Sequence, residues 1–238
     1  MSDVDRVIYI TGASRGLGLQ LAKSFLADAD REGQTIELGL GYEKTLPPEM
    51  PHVLHLPGDI ADPAIAAKSI DLIVSQFGRL DLVIANAAVT RDMSLLKMKD
   101  DDWNRVMDVN LTGSFYTLRA AAKHLRRSRG SFLFVSSLLG VRGGAGSSNY
   151  AASKAAVLGL MKSAARELAP KVCINAIVPG YMPTDMGLSS ESGLQAAKQE
   201  NLFGELSSIE ETANMIVKIS KFNGVSGQIF SLNGRVHK

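Results

Sequence analysis

Tyr150 and Lys154 stand four residues apart in the run Ser147-Ser148-Asn149-Tyr150-Ala151-Ala152-Ser153-Lys154. Thirteen residues before Tyr150, Ser137 follows the apolar stretch Phe132-Leu133-Phe134-Val135. At i and i+4 a phenol and an ammonium share one face of a helix. A cation so placed favours the phenolate and lowers the phenol's pKa, which makes Tyr150 a usable proton donor. Hydride addition to a carbonyl builds negative charge on oxygen and requires a proton there. Tyr150 is the candidate acid, and Lys154 is its electrostatic partner and a ligand for a nicotinamide ribose. Ser137 is placed to orient the carbonyl, and Asn110, in Met107-Asp108-Val109-Asn110, to hold a water leading from the lysine to solvent. A Tyr/Lys pair alone also fits solvated helix surface. The chain order of Asn110, Ser137 and a glycine loop argues against that.

The loop is Thr11-Gly12-Ala13-Ser14-Arg15-Gly16-Leu17-Gly18, after the apolar run Val7-Ile8-Tyr9-Ile10. Glycines between a strand and a helix allow a tight turn and let backbone amides approach phosphate oxygens. Gly12, Ser14, Arg15, Gly16, Leu17 and Gly18 are therefore cofactor candidates. The spacing is Gly-x-x-x-Gly-x-Gly, not Gly-x-Gly-x-x-Gly, and no Gly-Lys-Ser/Thr ends it, which disfavours nucleotide hydrolysis. Arg15 could meet an additional ribose phosphate, or be a merely exposed charge. The second apolar run, Thr35 to Leu40, has no terminal carboxylate for an unphosphorylated ribose, which favours NADPH/NADP+. Glu37 and Glu43 flank it, and a small register shift would put either near the ribose. Asp59, followed by Ile60, could accept from an adenine amino group or cap a helix. Asn86 and Ala87 lie where small residues let the cofactor approach, although Asn86 could simply hold two loops together.

These residues need elements to position them. Apolar β-rich runs near 6–11, 35–40, 52–57, 80–85, 131–136, 172–178 and 227–232 alternate with amphipathic segments near 16–29, 62–77, 101–125, 149–169 and 208–221. A smaller helical piece lies around 191–203. The alternation predicts an α/β fold, a mostly parallel sheet with helices on both faces. Acids 100–102 suit a helix start, and Ser207 or Ser208 could cap the helix near 208. At 238 residues one domain over 1–238 is expected, with a mobile substrate lid at 187–206. In the lid, Leu188, Leu194, Leu202 and Phe203 either line an acyl or aromatic pocket or form the buried side of a small helix.

Lys+Arg 26 against Asp+Glu 24 gives a net charge of +2, and no basic/aromatic stripe appears, so no nucleic-acid or membrane partner is implied. Cys173 is the single cysteine, which excludes an intrachain disulfide and zinc-binding cysteine clusters; a small buried residue is its expected role. No metal site is expected. The acidic start Met1–Arg6 lacks signal-peptide regions and no run reaches transmembrane length, so a soluble cytoplasmic protein is expected.

With these motifs in chain order, joined by Pro179-Gly180-Tyr181-Met182-Pro183-Thr184, the sequence resembles the short-chain dehydrogenase/reductase family over essentially its full length. The resemblance implies a Rossmann-type domain with a seven-stranded sheet and a tetrad of Asn110, Ser137, Tyr150 and Lys154. It also implies that Thr184 meets the diphosphate side of the cofactor and that Ile177 or Val178 meets the carboxamide region. Asn86 to Asp92, Leu95 to Asp100, Trp103, Asn110-Leu111-Thr112 and Tyr181 to Met186 are similar to bacterial 3-oxoacyl-[acyl-carrier-protein] reductases. Those enzymes reduce a 3-oxoacyl thioester on acyl carrier protein with NADPH and usually form homotetramers, whose main interface would be the helices near 101–125 and 149–169. Arg126, Arg127, Arg129 and Lys171 are the candidates for receiving the acidic carrier, or else a solvated charge run.

Three positions depart from that pattern. Ala88 replaces a glycine, the segment Phe203 to Ile209 lacks an Arg-x-Gly, and Leu232-Asn233-Gly234-Arg235 replaces two adjacent glycines, where Arg235 would alter packing at a subunit contact. None removes a tetrad member. A specialised ketone, polyketide, sugar or polyol reductase is the neighbouring reading, and a non-catalytic cofactor-binding protein is the reading from another class.

Overall fold

The computed structural model describes residues 4–189 and 191–235; Ser190, within the lid segment 187–206, and the terminal residues 1–3 and 236–238 lie outside the described residues. Seven parallel strands form one sheet in the order β3-β2-β1-β4-β5-β6-β7. They are β1 (Arg6–Ile10), β2 (Ile36–Tyr42), β3 (Val53–Pro57), β4 (Leu82–Ala85), β5 (Ser131–Val135), β6 (Cys173–Pro179) and β7 (Ile229–Leu232). In a strand successive side chains point to opposite faces. Val7 and Tyr9 therefore join one core, with Val83, Phe132 and Phe134, and Ile8 and Ile10 join the other, with Leu38, Ile84 and Leu133. Both faces are apolar, so both must be covered by helices.

On the first face lie α2 (Pro63–Phe77), α4 (Gly113–Ser128) and α6 (Ser148–Leu168), through Ile70, Ile73, Leu118, Leu125, Val157 and Met161. On the second lie α1 (Gly16–Glu32) and α8 (Ile209–Ile219), through Leu21, Phe25, Ile216 and Val217. Local chemistry fixes the helix ends. Asp62 Oδ1 accepts from the Ala64 N–H at 2.8 Å ahead of α2, with Pro63 at the first helical position. Ser208, one of the two expected caps, accepts from the Glu211 N–H at 3.2 Å.

The helix expected over 101–125 is two helices. After α3 (Asp100–Met107), residues Asp108–Thr112 form a turn of π-helix, and α4 follows. Inserted residues of this kind often mark functional positions, and the buried Asn110 lies inside this one. The five-residue α5 (Leu138–Arg142) was too short for periodicity to reveal, and the piece expected over 191–203 narrows to α7 (Glu191–Glu200). Among the described residues no helix is long and apolar enough to cross a membrane.

Candidate active site

Between β1 and β4 the strand order reverses direction, which opens a crevice at the carboxyl ends of the strands. A cleft of ≈ 1130 Å³ lies there, wide enough for a dinucleotide together with a substrate. Gly12, Ser14, Arg15, Gly16 and Leu17 line one end, ahead of and within the first turn of α1. Asp59 and Ile60 line it beyond β3, Asn86 and Ala87 beyond β4, and Thr184 beyond β6. Ser137, Tyr150 and Lys154 line the other end.

The glycine end is built for close approach. Gly12 has φ +66°, and a Cβ there would stand 2.7 Å from Ala87 Cα. Gly18 does not line the cleft; a Cβ on it would meet the Gly12 carbonyl oxygen at 2.2 Å, so it packs α1 against the loop. Asn86 Nδ2 donates to the carbonyls of Thr11 and Gly12, both at 3.0 Å, while Thr11 Oγ1 accepts from the N–H groups of Asn86 and Ala87. Asn86 is thus a staple between the β1 and β4 loops. A side chain at Gly12 would close this cradle, and the bare backbone that faces the cleft fits a dinucleotide phosphate.

At the ribose and adenine end, Arg15 pairs with Asp185 at 3.1 Å across the mouth, both largely exposed. Asp59 accepts from the Ala61 N–H at 3.0 Å and pairs with Arg105, whose other nitrogen lies 3.3 Å from Glu43. Burial alone would raise the Asp59 carboxyl, but the Arg105 hydrogen bond and charge and the Ala61 N–H hold it below the usual carboxylate range. Glu43, at 3.7 Å from Lys44, is neutralised from two sides.

At the reaction end, α6 carries Tyr150 and Lys154 on one face, and Ser137 opens α5 by accepting from the Leu139 N–H at 3.2 Å. Burial pushes the Tyr150 phenol up to about 12; a hydrogen bond from Ser137 opposes this, and the Asp92 carboxylate adds to it. Burial lowers the Lys154 ammonium to about 8. Lys154 is 2 % exposed, and its Nζ donates to the Val135 carbonyl at 2.7 Å, 5.8 Å from the Tyr150 ring centroid. Burial therefore sets the direction of the Tyr150 shift, opposite to the one expected from the spacing of phenol and ammonium. What results is a phenol that holds its proton at neutral pH.

Asn110 is fully buried and stands behind the cleft. Its Oδ1 accepts from the Val89 N–H at 2.8 Å, and its Nδ2 donates to the Val89 carbonyl at 3.1 Å and to Ser153 Oγ at 3.0 Å. Both amide hydrogens are used, so the side chain ties the β4 loop to α6. Sequence reasoning missed three supports. Ser153 donates to the Tyr150 carbonyl at 2.8 Å, Ser136 to the Lys154 carbonyl at 2.8 Å, and Asn149 Nδ2 to the Arg91 carbonyl at 2.9 Å while its Oδ1 accepts from the Tyr150 N–H. Their signal was only proximity to Tyr150 and Ser137.

Arg126, Arg127 and Arg129 close α4 ahead of β5, and Lys171 precedes β6, so within one protomer all four lie toward the amino-terminal ends of the strands, away from the end that carries Tyr150. Ile177 and Val178 are fully buried, and the lining of the cleft begins at Pro179. Leu188, Leu202 and Phe203 are exposed, and α7 turns Ala196 and Ala197 toward the cleft instead. Cys173 keeps partial exposure. Arg235 lines the cleft.

The model of a family described as short chain dehydrogenase matches residues 6–195. The chain is 35% identical over 238 residues to a 3-oxoacyl-[acyl-carrier-protein] reductase FabG of Staphylococcus aureus (strain Mu50 / ATCC 700699), with 96% of each protein covered. It is 32% identical over 242 residues to the protein of that name from Thermotoga maritima, again with 96% of each covered. With that of Escherichia coli (strain K12) it shares 29% over 237 residues, 98% of this chain and 97% of the other. Sheet order, cleft and family match agree, and the chain belongs to the short-chain dehydrogenase family of oxidoreductases.

Proposed function

We propose that the protein reduces a 3-oxoacyl thioester, carried on an acyl carrier protein, to the 3-hydroxyacyl thioester with NADPH. The observation that carries this is the hydrogen-bonded Ser137–Tyr150 pair, with Lys154 beside it, in the cleft that also holds the glycine loop. The bound cofactor supplies a hydride. Ser137 holds the carbonyl oxygen, and the Tyr150 hydroxyl, protonated at neutral pH, donates its proton to that oxygen as charge develops. Lys154, anchored on Val135, stands ready to bind the nicotinamide ribose and to stabilise the phenolate left behind. Asn110 positions α6 through Ser153.

Preference for NADPH is supported by Arg15 and Lys44 at the ribose end and by the neutralisation of Glu43. The proposal includes one domain over 1–238, a lid at 187–206, a cytoplasmic location and a homotetramer assembled through α4 and α6. The shared name of the three relatives supports the substrate and the carrier. Loss of NADPH absorbance with 3-oxoacyl groups on acyl carrier protein, beside matched free ketones and NADH, tests the reading. Carrier-dependent oxidation abolished by Tyr150→Phe is expected. Turnover of free ketones alone would move the assignment to a ketone reductase of another pathway, and silence with all substrates despite NADPH binding would favour a non-catalytic protein.

A further inference from the structure

Past β7, Arg235 folds inward. Its side chain is 9% exposed, yet it lines the cleft that contains Ser137 and Tyr150. Its Nη1 stands 3.0 Å from Glu200 Oε2, and its Nη2 donates to the Ala197 carbonyl at 3.0 Å, both on α7. Arg142, from α5, reaches the same Glu200 oxygen at 2.7 Å and also lines the cleft. Two guanidiniums thus share one carboxylate oxygen, and one of them is largely buried in the wall of the cleft.

The cationic clusters elsewhere along the cleft are balanced. Arg15 faces Asp185, and Arg105 and Lys44 face Asp59 and Glu43. Asp92 acts on Tyr150 and Tyr181, at the reaction end. Among the described residues, only the lid-end cluster sets two paired cations against one carboxylate with no second carboxylate joining the cluster. A buried, partly compensated guanidinium is costly unless a further anion reaches it. Burial indeed pushes the Arg235 pKa down; Glu200 opposes this and Arg142 adds to it. Glu200 is 39% exposed against 9% for Arg235, so its carboxylate can swing into water and leave Arg235 in place. A planar guanidinium fork matches a carboxylate or phosphate with two parallel hydrogen bonds.

Resting on the reductase reading above, we propose that Arg142 and Arg235 form an anion subsite that takes a carboxylate or phosphate on the ketone substrate and displaces Glu200. This narrows the substrate class to keto compounds with an oxyanion set apart from the reacting carbonyl.

Rates with NADPH on three 3-oxoacyl thioesters of one chain length test it. They are a neutral N-acetylcysteamine thioester, its counterpart with a terminal carboxylate on the acyl chain, and the phosphopantetheine thioester. One charged substrate should show a kcat/KM roughly 10- to 100-fold above the neutral one, the range for a hydrogen bond to a charged group. Arg235→Gln should erase that advantage, and Glu200→Gln, which removes the competing carboxylate, should widen it. An advantage on the carboxylate arm assigns the anion to the acyl chain, and one on the phosphate arm to the thiol side. Equal values on all arms, or an advantage that survives Arg235→Gln, overturn the subsite and leave the reduction standing. Without turnover on any arm the reduction itself fails. Calorimetric titration of the two charged thioesters, with NADP+ present, then decides the subsite. A Kd for either that rises about tenfold in Arg235→Gln and falls in Glu200→Gln keeps it, and unchanged values for both overturn it.

Discussion

Lys154→Met should make the protein more stable at neutral pH while it removes activity. The lysine is 2 % exposed, and its charge is anchored on one carbonyl, that of Val135. A pKa lowered from 10.5 to about 8 by burial places roughly 3 kcal/mol of penalty on the charged form. The sign follows from linkage: below pH 8 the lysine is charged in both states, and the full penalty stands. Between pH 8 and 10.5 the unfolded chain keeps a proton that the folded chain has released, so stability rises with pH. Methionine has the same unbranched reach without the charge. It leaves the Val135 carbonyl without its donor, which costs about 1 kcal/mol. The net gain at pH 7 is about 2 kcal/mol, or a Tm rise of about 4–8 °C for a chain of this size. Thermal unfolding at pH 7 and pH 10.5 reads it, and the gap should close at the higher pH. A variant that melts at or below the wild-type temperature at pH 7, or a gap that ignores pH, would refute the reasoning.

Tyr150→Phe should lower kcat by roughly 10²- to 10⁴-fold with the fold intact, the range for a lost general acid; a loss under tenfold would remove Tyr150 from that role. Burial pushes the phenols of Tyr9 and Tyr150 up to about 12. Stability tied to them is fully present below pH 10 and lost as pH rises through 12, roughly 2–3 kcal/mol each, so Tyr9→Phe should flatten the alkaline limb in urea unfolding. Asn110→Ala strands the Val89 N–H and carbonyl and should cost about 2–4 kcal/mol in chemical denaturation; a cost below about 0.5 would show that water replaces the amide. Gly12→Ala puts a methyl 2.7 Å from Ala87 Cα. It should weaken NADPH binding by about tenfold or more in a fluorescence titration, whereas unaltered affinity would exclude the loop from the cofactor site.

Much of the fold was legible because its signal is local. Alternating apolar runs and amphipathic segments report burial on both faces of a parallel sheet, and all seven strands fall within a few residues of expectation. Glycine loop, Ser137, Tyr150 and Lys154 were legible because type and spacing carry their chemistry. What stayed hidden depends on partners far away in the chain. Nothing near Asn110 announces that residues 89 and 153 take up its amide, or that Arg105 reaches Asp59 across 46 positions. Electrostatics was hidden too, because the depth that raises Tyr150 and lowers Lys154 is set by packing, not by their spacing. The place of the basic residues at 126–129 was hidden for a similar reason: charge is visible in sequence, but the end of the strands at which it lies is not.

The π turn at Asp108–Thr112 couples two jobs within one stretch of chain. Val106 before it and Leu118, Ala121 and Leu125 after it are all buried, while Asn110 between them is turned to residues 89 and 153. An α-helix advances about 100° per residue. Deleting one residue here would let the segment close into regular α-helix with the two apolar stripes still aligned, but it would turn the amide at 110 away from residues 89 and 153. Stripe and amide could not both face inward afterwards. Mutational scanning of this stretch should accordingly find side-chain changes far better tolerated than any change in length, even a one-residue deletion that touches no chemically active group.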